Sequence, residues 1–186
     1  RILNLLPAKK FRNEHLILTG GEPLITKWHP FYRELLTHPA LKDLKGLTFE
    51  TNGTQSLDYY FCKFLEKWRD DHGPGSLTFS VSPKLPCSGE KWDEAIRPSK
   101  ICVMEMYGET YVKFVVATEE DVEDAKAAVA NLNEYGFKGE IYLMPVGGVA
   151  DMYNLNKAKV AEMAMELGWR FSDRLQCAIW KNAWGT

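Results

Sequence analysis

His15-Leu16-Ile17-Leu18-Thr19-Gly20-Gly21-Glu22-Pro23 is a short apolar run that breaks at once into a glycine-rich polar turn. A run of this kind reads as a buried parallel strand whose C-terminal end delivers the backbone into a site. Two consecutive glycines let the main chain pass close to a ligand with no Cβ in the way, and Pro23 fixes the exit of the turn. The Glu22 carboxylate is thereby held at a strand tip, suited to gripping an amino acid's ammonium group. The plainer reading is a tight strand-to-helix turn that binds nothing.

The same grammar recurs along the chain. Leu47-Thr48-Phe49 runs into Glu50-Thr51-Asn52-Gly53, Leu77 to Val81 into Ser82-Pro83-Lys84, and Ile141-Tyr142-Leu143 into Met144-Pro145-Val146-Gly147-Gly148. Tyr111 to Val116 reads as a further strand, followed by the helix start Thr118-Glu119-Glu120-Asp121, acidic in its first turn. Helices are expected over Pro30 to Leu36 with Phe31, Leu35 and Leu36 inward, over Leu57 to Asp70 with Tyr60, Phe61, Phe64, Leu65 and Trp68 at helical spacing, from Thr118 to about Glu134, and over Leu155 to Leu167. Leu85 to Tyr107 reads as an irregular insertion with one helical turn near Trp92 to Ile96, Leu175 to Trp180 as a closing strand, and Ile2, Leu3, Leu5 and Leu6 as the end of an amphipathic helix entering Pro7. Alternating strand, polar tip and amphipathic helix is the βαβ pattern of an α/β fold with a mostly parallel sheet. Ligands in such sheets sit at the C-terminal strand ends, where four of these tips carry polar or glycine-rich signatures.

Composition narrows the function classes. With 186 residues, 45% of them hydrophobic, the chain is expected to form one domain over 1–186 with a sizeable core. A formal charge of −2 gives no general attraction for nucleic acid or an anionic membrane. No apolar run approaches the roughly 18 to 20 residues of a membrane span, and no secretory signal is visible, so a cytoplasmic protein is expected. Cys62, Cys87, Cys102 and Cys177 are too dispersed for a zinc site or a disulfide framework.

Leu18-Thr19-Gly20-Gly21-Glu22-Pro23-Leu24 resembles the segment with which radical S-adenosylmethionine enzymes hold the methionine end of their cofactor. Taken with Glu50-Thr51-Asn52-Gly53, Ser82-Pro83-Lys84, Lys113-Phe114-Val115-Val116, Tyr142-Leu143-Met144-Pro145, Arg174-Leu175 and the Trp-containing end with Gly185-Thr186, it makes nearly the whole chain resemble the 7-carboxy-7-deazaguanine synthase family of 7-deazapurine (queuosine) biosynthesis.

The resemblance implies a partial (β/α) barrel of radical S-adenosylmethionine type that contracts the ring of 6-carboxytetrahydropterin to 7-carboxy-7-deazaguanine. The implied cofactors are S-adenosylmethionine, a [4Fe-4S] cluster and magnesium. The implied partners are an electron donor such as flavodoxin and a second copy in a homodimer. Carried over by residue, Gly20, Gly21 and Glu22 would hold the methionine moiety, and Ser82, Pro83, Lys84 and Met144, Pro145, Val146 and Gly147 the rest of the cofactor. Thr19 and Glu50 would contact the pterin, Glu50 by accepting two parallel N–H bonds from its 2-amino-pyrimidinone edge. The terminal carboxylate of Thr186 would reach the same substrate, turned inward at Gly185 behind Trp184. Loop amides bonded to Glu50, a solvated Lys84 and a loose tail after Trp184 are the competing readings of those positions.

This chain departs from the family's pattern in three respects. It has no closely spaced cysteine triplet, Val146 stands where the family often has Glu, and Gln176 where it often has His. The domain is therefore expected to be incomplete at its N-terminal side, with the cluster and magnesium ligands on a preceding segment. The chain as given is expected to be inactive. The alternatives are another radical S-adenosylmethionine enzyme, such as a glycyl-radical activase, or a non-catalytic scaffold.

Overall fold

A computed structural model describes residues 14–147 and 150–180. The expectations for Ile2 to Pro7, for Gly148 and for Trp184 to Thr186 fall outside those residues, as does the side chain of Gln176. The elements follow in the order β1 (His15–Leu18), α1 (His29–Leu36), β2 (Gly46–Thr51), α2 (Tyr59–His72), β3 (Leu77–Val81), α3 (Trp92–Ala95), α4 (Pro98–Tyr107), β4 (Glu109–Val116), α5 (Glu119–Glu134), β5 (Ile141–Pro145), α6 (Ala150–Glu166), β6 (Arg170–Phe171) and α7 (Leu175–Trp180). All six strands are parallel and ordered β1-β2-β3-β4-β5-β6, so neighbours in sequence are neighbours in space. Sequential parallel strands with helical crossovers make the wall of a partial (β/α) barrel. No described helix is long and apolar enough to cross a membrane.

Period-two alternation divides the sheet into two faces. Leu47 and Phe49, Leu77, Phe79 and Val81, Val112, Phe114 and Val116, and Ile141 and Leu143 point outward and are buried beneath the helices. Phe49 is the centre of this layer, stacked on Phe79 at 5.7 Å between centroids and met edge-on by Tyr32 of α1 and Phe61 of α2. Burying such a ring stabilises the fold by about 1.5–3 kcal/mol, which is how α1 and α2 are held to the sheet. The alternate residues, among them Glu50, Ser80, Lys113, Val115 and Met144, line the inner face.

Several elements depart from the sequence expectation for identifiable reasons. Among the described residues β1 pairs with β2 alone; His15 and Ile17 are exposed and Leu16 and Leu18 only half-buried, whereas the apolar run predicts a buried strand. In α1, which begins at His29, the buried face is His29, Tyr32 and Leu36, and Phe31 lies outside it against the edge of Trp28. In α2 the inward face is Phe61, Leu65 and Trp68, with Tyr60 exposed. The expected single turn is α3, but the rest of the supposed insertion contains α4, the crossover helix between β3 and β4. Its apolar residues occur all round, Ile101 and Met104 buried and Val103 and Met106 exposed, so no amphipathic stripe announces it. Pro98, which reads as a breaker, sits in its first turn, where a missing N–H costs nothing. α6 begins at Ala150, earlier than Leu155. The expected closing strand at Leu175 to Trp180 is α7, and the sixth strand is the two-residue Arg170–Phe171; a short apolar run does not by periodicity tell strand from helix.

Candidate active site

The turn after β1 is built as its glycines require. Gly20 and Gly21 have φ of 85° and 55°, and a Cβ at either would point into open space, so bare backbone faces the mouth of the barrel. Glu22 turns inward instead. Its Oε1 accepts from the Leu24 amide at 2.9 Å and the Thr51 hydroxyl at 2.7 Å, and its Oε2 accepts from the Asn52 amide at 2.8 Å. The carboxylate thus ties the β1 turn to the β2 tip, with acceptor capacity remaining on Oε2.

The β2 tip is shaped from within as well. The Thr51 hydroxyl accepts from the Gly53 amide, and Asn52 Oδ1 from the amide and hydroxyl of Thr54. Gly53, at φ 80°, sits where a Cβ would come within 2.7 Å of Val81 Cγ1, so the position excludes any side chain. Past the turn, Asp58 caps α2 through the Phe61 amide at 2.9 Å and meets His29 Nδ1 at 2.5 Å, while His29 Nε2 faces the Leu24 carbonyl at 3.1 Å. Burial pushes the Asp58 carboxyl up, but the Phe61 amide and the His29 ring outweigh it and hold the group below the usual carboxylate range. The chain from Glu22 to Asp58 is one hydrogen-bonded unit.

Beside this unit lies a cleft of about 300 Å³ lined by Gly21, Glu50, Asn52 and Ser80 on one side and by Ser82, Lys84, Lys113, Met144 and Arg174 on the other. Strand register accounts for the grouping: Glu50 is paired with Ser80, and the inner-face residues of β4 and β5 follow around the wall. Glu50 accepts no hydrogen bond from the described residues; the Lys113 ammonium stands 3.9 Å from its Oε1. Lys113 in turn lies over the Tyr111 ring at 5.8 Å. Burial holds the Lys113 amine below the usual lysine range, Glu50 working against that shift and Arg174 with it. Arg174 donates through Nε to Met144 Sδ and through an Nη to the Gly147 carbonyl at 2.9 Å, pinning the β5 tip. The Ser80 hydroxyl is buried and has no hydrogen-bond partner among the described residues.

A second cavity of about 440 Å³ shares Lys84, Val115 and Arg174 with the first and is otherwise walled by Pro83, Leu85, Ala117 and Val146 among others. Of the residues singled out in the sequence, Gly21, Glu50, Ser82, Lys84 and Met144 therefore meet in one cleft, and Pro83 and Val146 in the adjoining one. Thr19 and Gly20 are exposed at the rim, and Pro145 is buried on the outer face. Sequence reasoning missed Ser80, Lys113 and Arg174 as site residues. The signal for Lys113 was present, since a lone lysine among Val112, Phe114 and Val116 must sit on the other face of β4.

The cysteines do not converge on the cleft. Cys62 and Cys177 are buried and Cys87 is exposed, and the described residues contain no group of three or more His, Cys, Asp or Glu able to hold a metal ion. No set of cysteines among them fits an iron–sulfur cluster.

Curated relatives match the chain over most of its length. A 7-carboxy-7-deazaguanine synthase of Halobacterium salinarum is 29% identical over 190 residues, covering 91% of this chain and 66% of the relative. One from Pyrobaculum aerophilum is 30% identical over 172 residues, covering 92% and 67%, and one from Rhodopirellula baltica is 26% identical over 185 residues, covering 93% and 64%. The chain thus spans about two thirds of the length of these relatives. No family model matches it, and no solved structure does. On its 30% identity to the Pyrobaculum protein across more than nine-tenths of its own length, the chain belongs to the 7-carboxy-7-deazaguanine synthase family.

Proposed function

We propose that the full-length protein converts 6-carboxytetrahydropterin to 7-carboxy-7-deazaguanine, and that this chain supplies the surface on which S-adenosylmethionine and the pterin are oriented. The observation that carries this reading is the inner-face cleft, which the Glu50 carboxylate, accepting no hydrogen bond from the described residues, lines together with the open backbone of Gly21. A carboxylate held there accepts the paired N–H groups of a 2-amino-pyrimidinone.

The fit to S-adenosylmethionine rests on the bare Gly20-Gly21 backbone and on the two adjoining cavities. Gly20, Gly21 and the remaining acceptor capacity of Glu22 take the methionine end, and Ser82, Pro83, Lys84 and the Met144 to Gly147 turn the rest of the cofactor. S-adenosylmethionine, when bound, supplies the hydrogen-abstracting chemistry, and the chain's own contribution is positional. Glu22 does this by fixing the β2 tip, and so the backbone that carries Glu50. Thr19 at the rim and the terminal carboxylate of Thr186 complete the pterin site in this reading, and an electron donor of the flavodoxin kind and a homodimer complete the enzyme.

The test is product formation. Full-length protein reconstituted anaerobically with iron and sulfide, then supplied with reductant, magnesium, S-adenosylmethionine and 6-carboxytetrahydropterin, is expected to release 7-carboxy-7-deazaguanine. Formation of 5′-deoxyadenosine with the pterin unconsumed would place the protein with another radical reaction.

A further inference from the structure

Lys113 occupies a position that the binding of S-adenosylmethionine and the reading of Glu50 leave without a task. It is the charged member of an otherwise apolar stretch of β4, its side chain is only 16% exposed, and it makes no hydrogen bond with any described residue. Placing an ammonium in such a site costs desolvation that a protein partner at hydrogen-bond distance would offset. Glu50 Oε1, at 3.9 Å, is near enough to attract the charge and too far to receive a hydrogen bond. Arg174, on the other side, opposes a second cation and is itself engaged with Met144 and Gly147. The hydroxyl of Ser80, the register partner of Glu50, is likewise buried and has no hydrogen-bond partner among the described residues. Unmatched buried polar groups that line one cleft are the mark of a site shaped for a polar guest.

The order of these groups identifies the edge of the guest. Both residues line the cleft, and Lys113 Nζ stands 3.9 Å from Glu50 Oε1, so a donor lies beside a carboxylate that offers two acceptor oxygens. The edge of a 2-amino-4-oxopyrimidine ring presents the complement, the 2-amino group, the ring N3–H and the 4-oxo oxygen. N3 and the 4-oxo oxygen are on adjoining atoms, so the groups that meet them must stand side by side, as Oε1 and Nζ do. Resting on the assignment of this cleft to a pterin, we propose that Lys113 determines substrate specificity by donating a hydrogen bond to the 4-oxo oxygen while Glu50 accepts from N3–H and the 2-amino group. A neutral 4-amino ring, with a donor where the oxygen was and no hydrogen on N3, is then disfavoured by the ammonium and by Glu50 together.

Binding of two unreactive probes, 6-carboxypterin and 2,4-diaminopteridine-6-carboxylate, to the full-length protein with S-adenosylmethionine present tests this. The natural protein is expected to prefer the 4-oxo probe by roughly tenfold or more, as one charge-assisted hydrogen bond implies. Lys113→Met should shrink that preference, weakening the 4-oxo probe and leaving the diamino probe unchanged or tighter, with the remainder due to the N3–H that the neutral diamino ring lacks, while Lys113→Arg, which keeps a donor, should retain it in full. An equal loss of both probes in Lys113→Met would make Lys113 a general anchor for the 6-carboxylate and overturn the inference, as would no loss at all. Glu50→Gln separates the two levels. If it weakens 6-carboxypterin while Lys113→Met does not change the preference, the pterin reading stands and the role of Lys113 falls. If it leaves 6-carboxypterin binding unchanged, the pterin reading itself falls.

Discussion

Glu22 and Glu50 are two carboxylates at neighbouring strand ends, and they have opposite surroundings. Glu22 spends both oxygens on the protein, accepting from Leu24, Thr51 and Asn52. Glu50 accepts from none of the described residues and keeps its lone pairs toward the cleft, with Lys113 held just out of hydrogen-bond range. The residue that stands out in the sequence, inside Gly-Gly-Glu-Pro, is thus first a brace, and the one inside Glu-Thr-Asn-Gly is the carboxylate with capacity to offer. A motif tells where a group is delivered. What the group has left to give depends on donors brought up from elsewhere in the chain.

The comparison breaks most readily at Glu22. Glu22→Ala leaves the Asn52 and Leu24 amides and the Thr51 hydroxyl without their acceptor, so the full-length protein is expected to lose about 2–3 kcal/mol in urea unfolding. A midpoint equal to that of the natural protein would show that the three bonds brace nothing. Glu22→Gln keeps an acceptor oxygen and is expected to fall between the two, so weaker binding of S-adenosylmethionine in that variant must be read beside its stability.

Asp58 sharpens the contrast as a third carboxylate, engaged like Glu22 but partly at the surface. Asp58→Asn preserves a cap for α2 and removes the charged partner of His29, at an expected cost of about 1 kcal/mol near neutral pH. Because the folded state holds this carboxyl below its ordinary value, its contribution is present above the unfolded pKa and fades as pH falls through the lower folded value. The difference between Asp58→Asn and the natural protein should therefore narrow once pH drops below about 4. A gap that widens on acidification would reverse the assignment.

Most of the wall was legible because its signals are local. β3, from Leu77 to Val81, and the Thr118 cap of α5 are written in adjacent residues, and the cap forms as a reciprocal pair with Asp121. α4 was not legible because its burial of Ile101 and Met104 comes from packing on α2, α5 and the sheet and not from an amphipathic stripe. For the site the division is similar. Gly20, Gly21, Ser82 and Lys84 can be placed at strand tips from their own neighbours, but the closeness of Lys113 to Glu50 needs the register of β2 against β3 and of β3 against β4. The engagement of Glu22 with Asn52, thirty residues on, is non-local in the same way.

The smallest expected effect on stability is the most telling one. Glu50 is 43% exposed along its side chain, accepts no hydrogen bond from the described residues, and stands 3.9 Å from the Lys113 ammonium. An ion pair of that length at a cleft mouth contributes little, so Glu50→Ala should unfold within about 0.5 kcal/mol of the natural protein. Lys113 then loses the one group that opposes the effect of its burial, and its amine should titrate lower still. That shift costs the fold little, because the ammonium can release a proton to, or donate to water in, the open cleft. Binding should respond quite differently. A carboxylate that accepts from none of the described residues is the acceptor that a pterin edge needs, and its removal leaves the ring N3–H and a 2-amino N–H unmatched. Loss of 6-carboxypterin binding with unchanged urea unfolding would separate Glu50 from Glu22 cleanly. A destabilisation as large as that of Glu22→Ala would mean instead that Glu50 is a second brace, with its acceptors already committed to the protein.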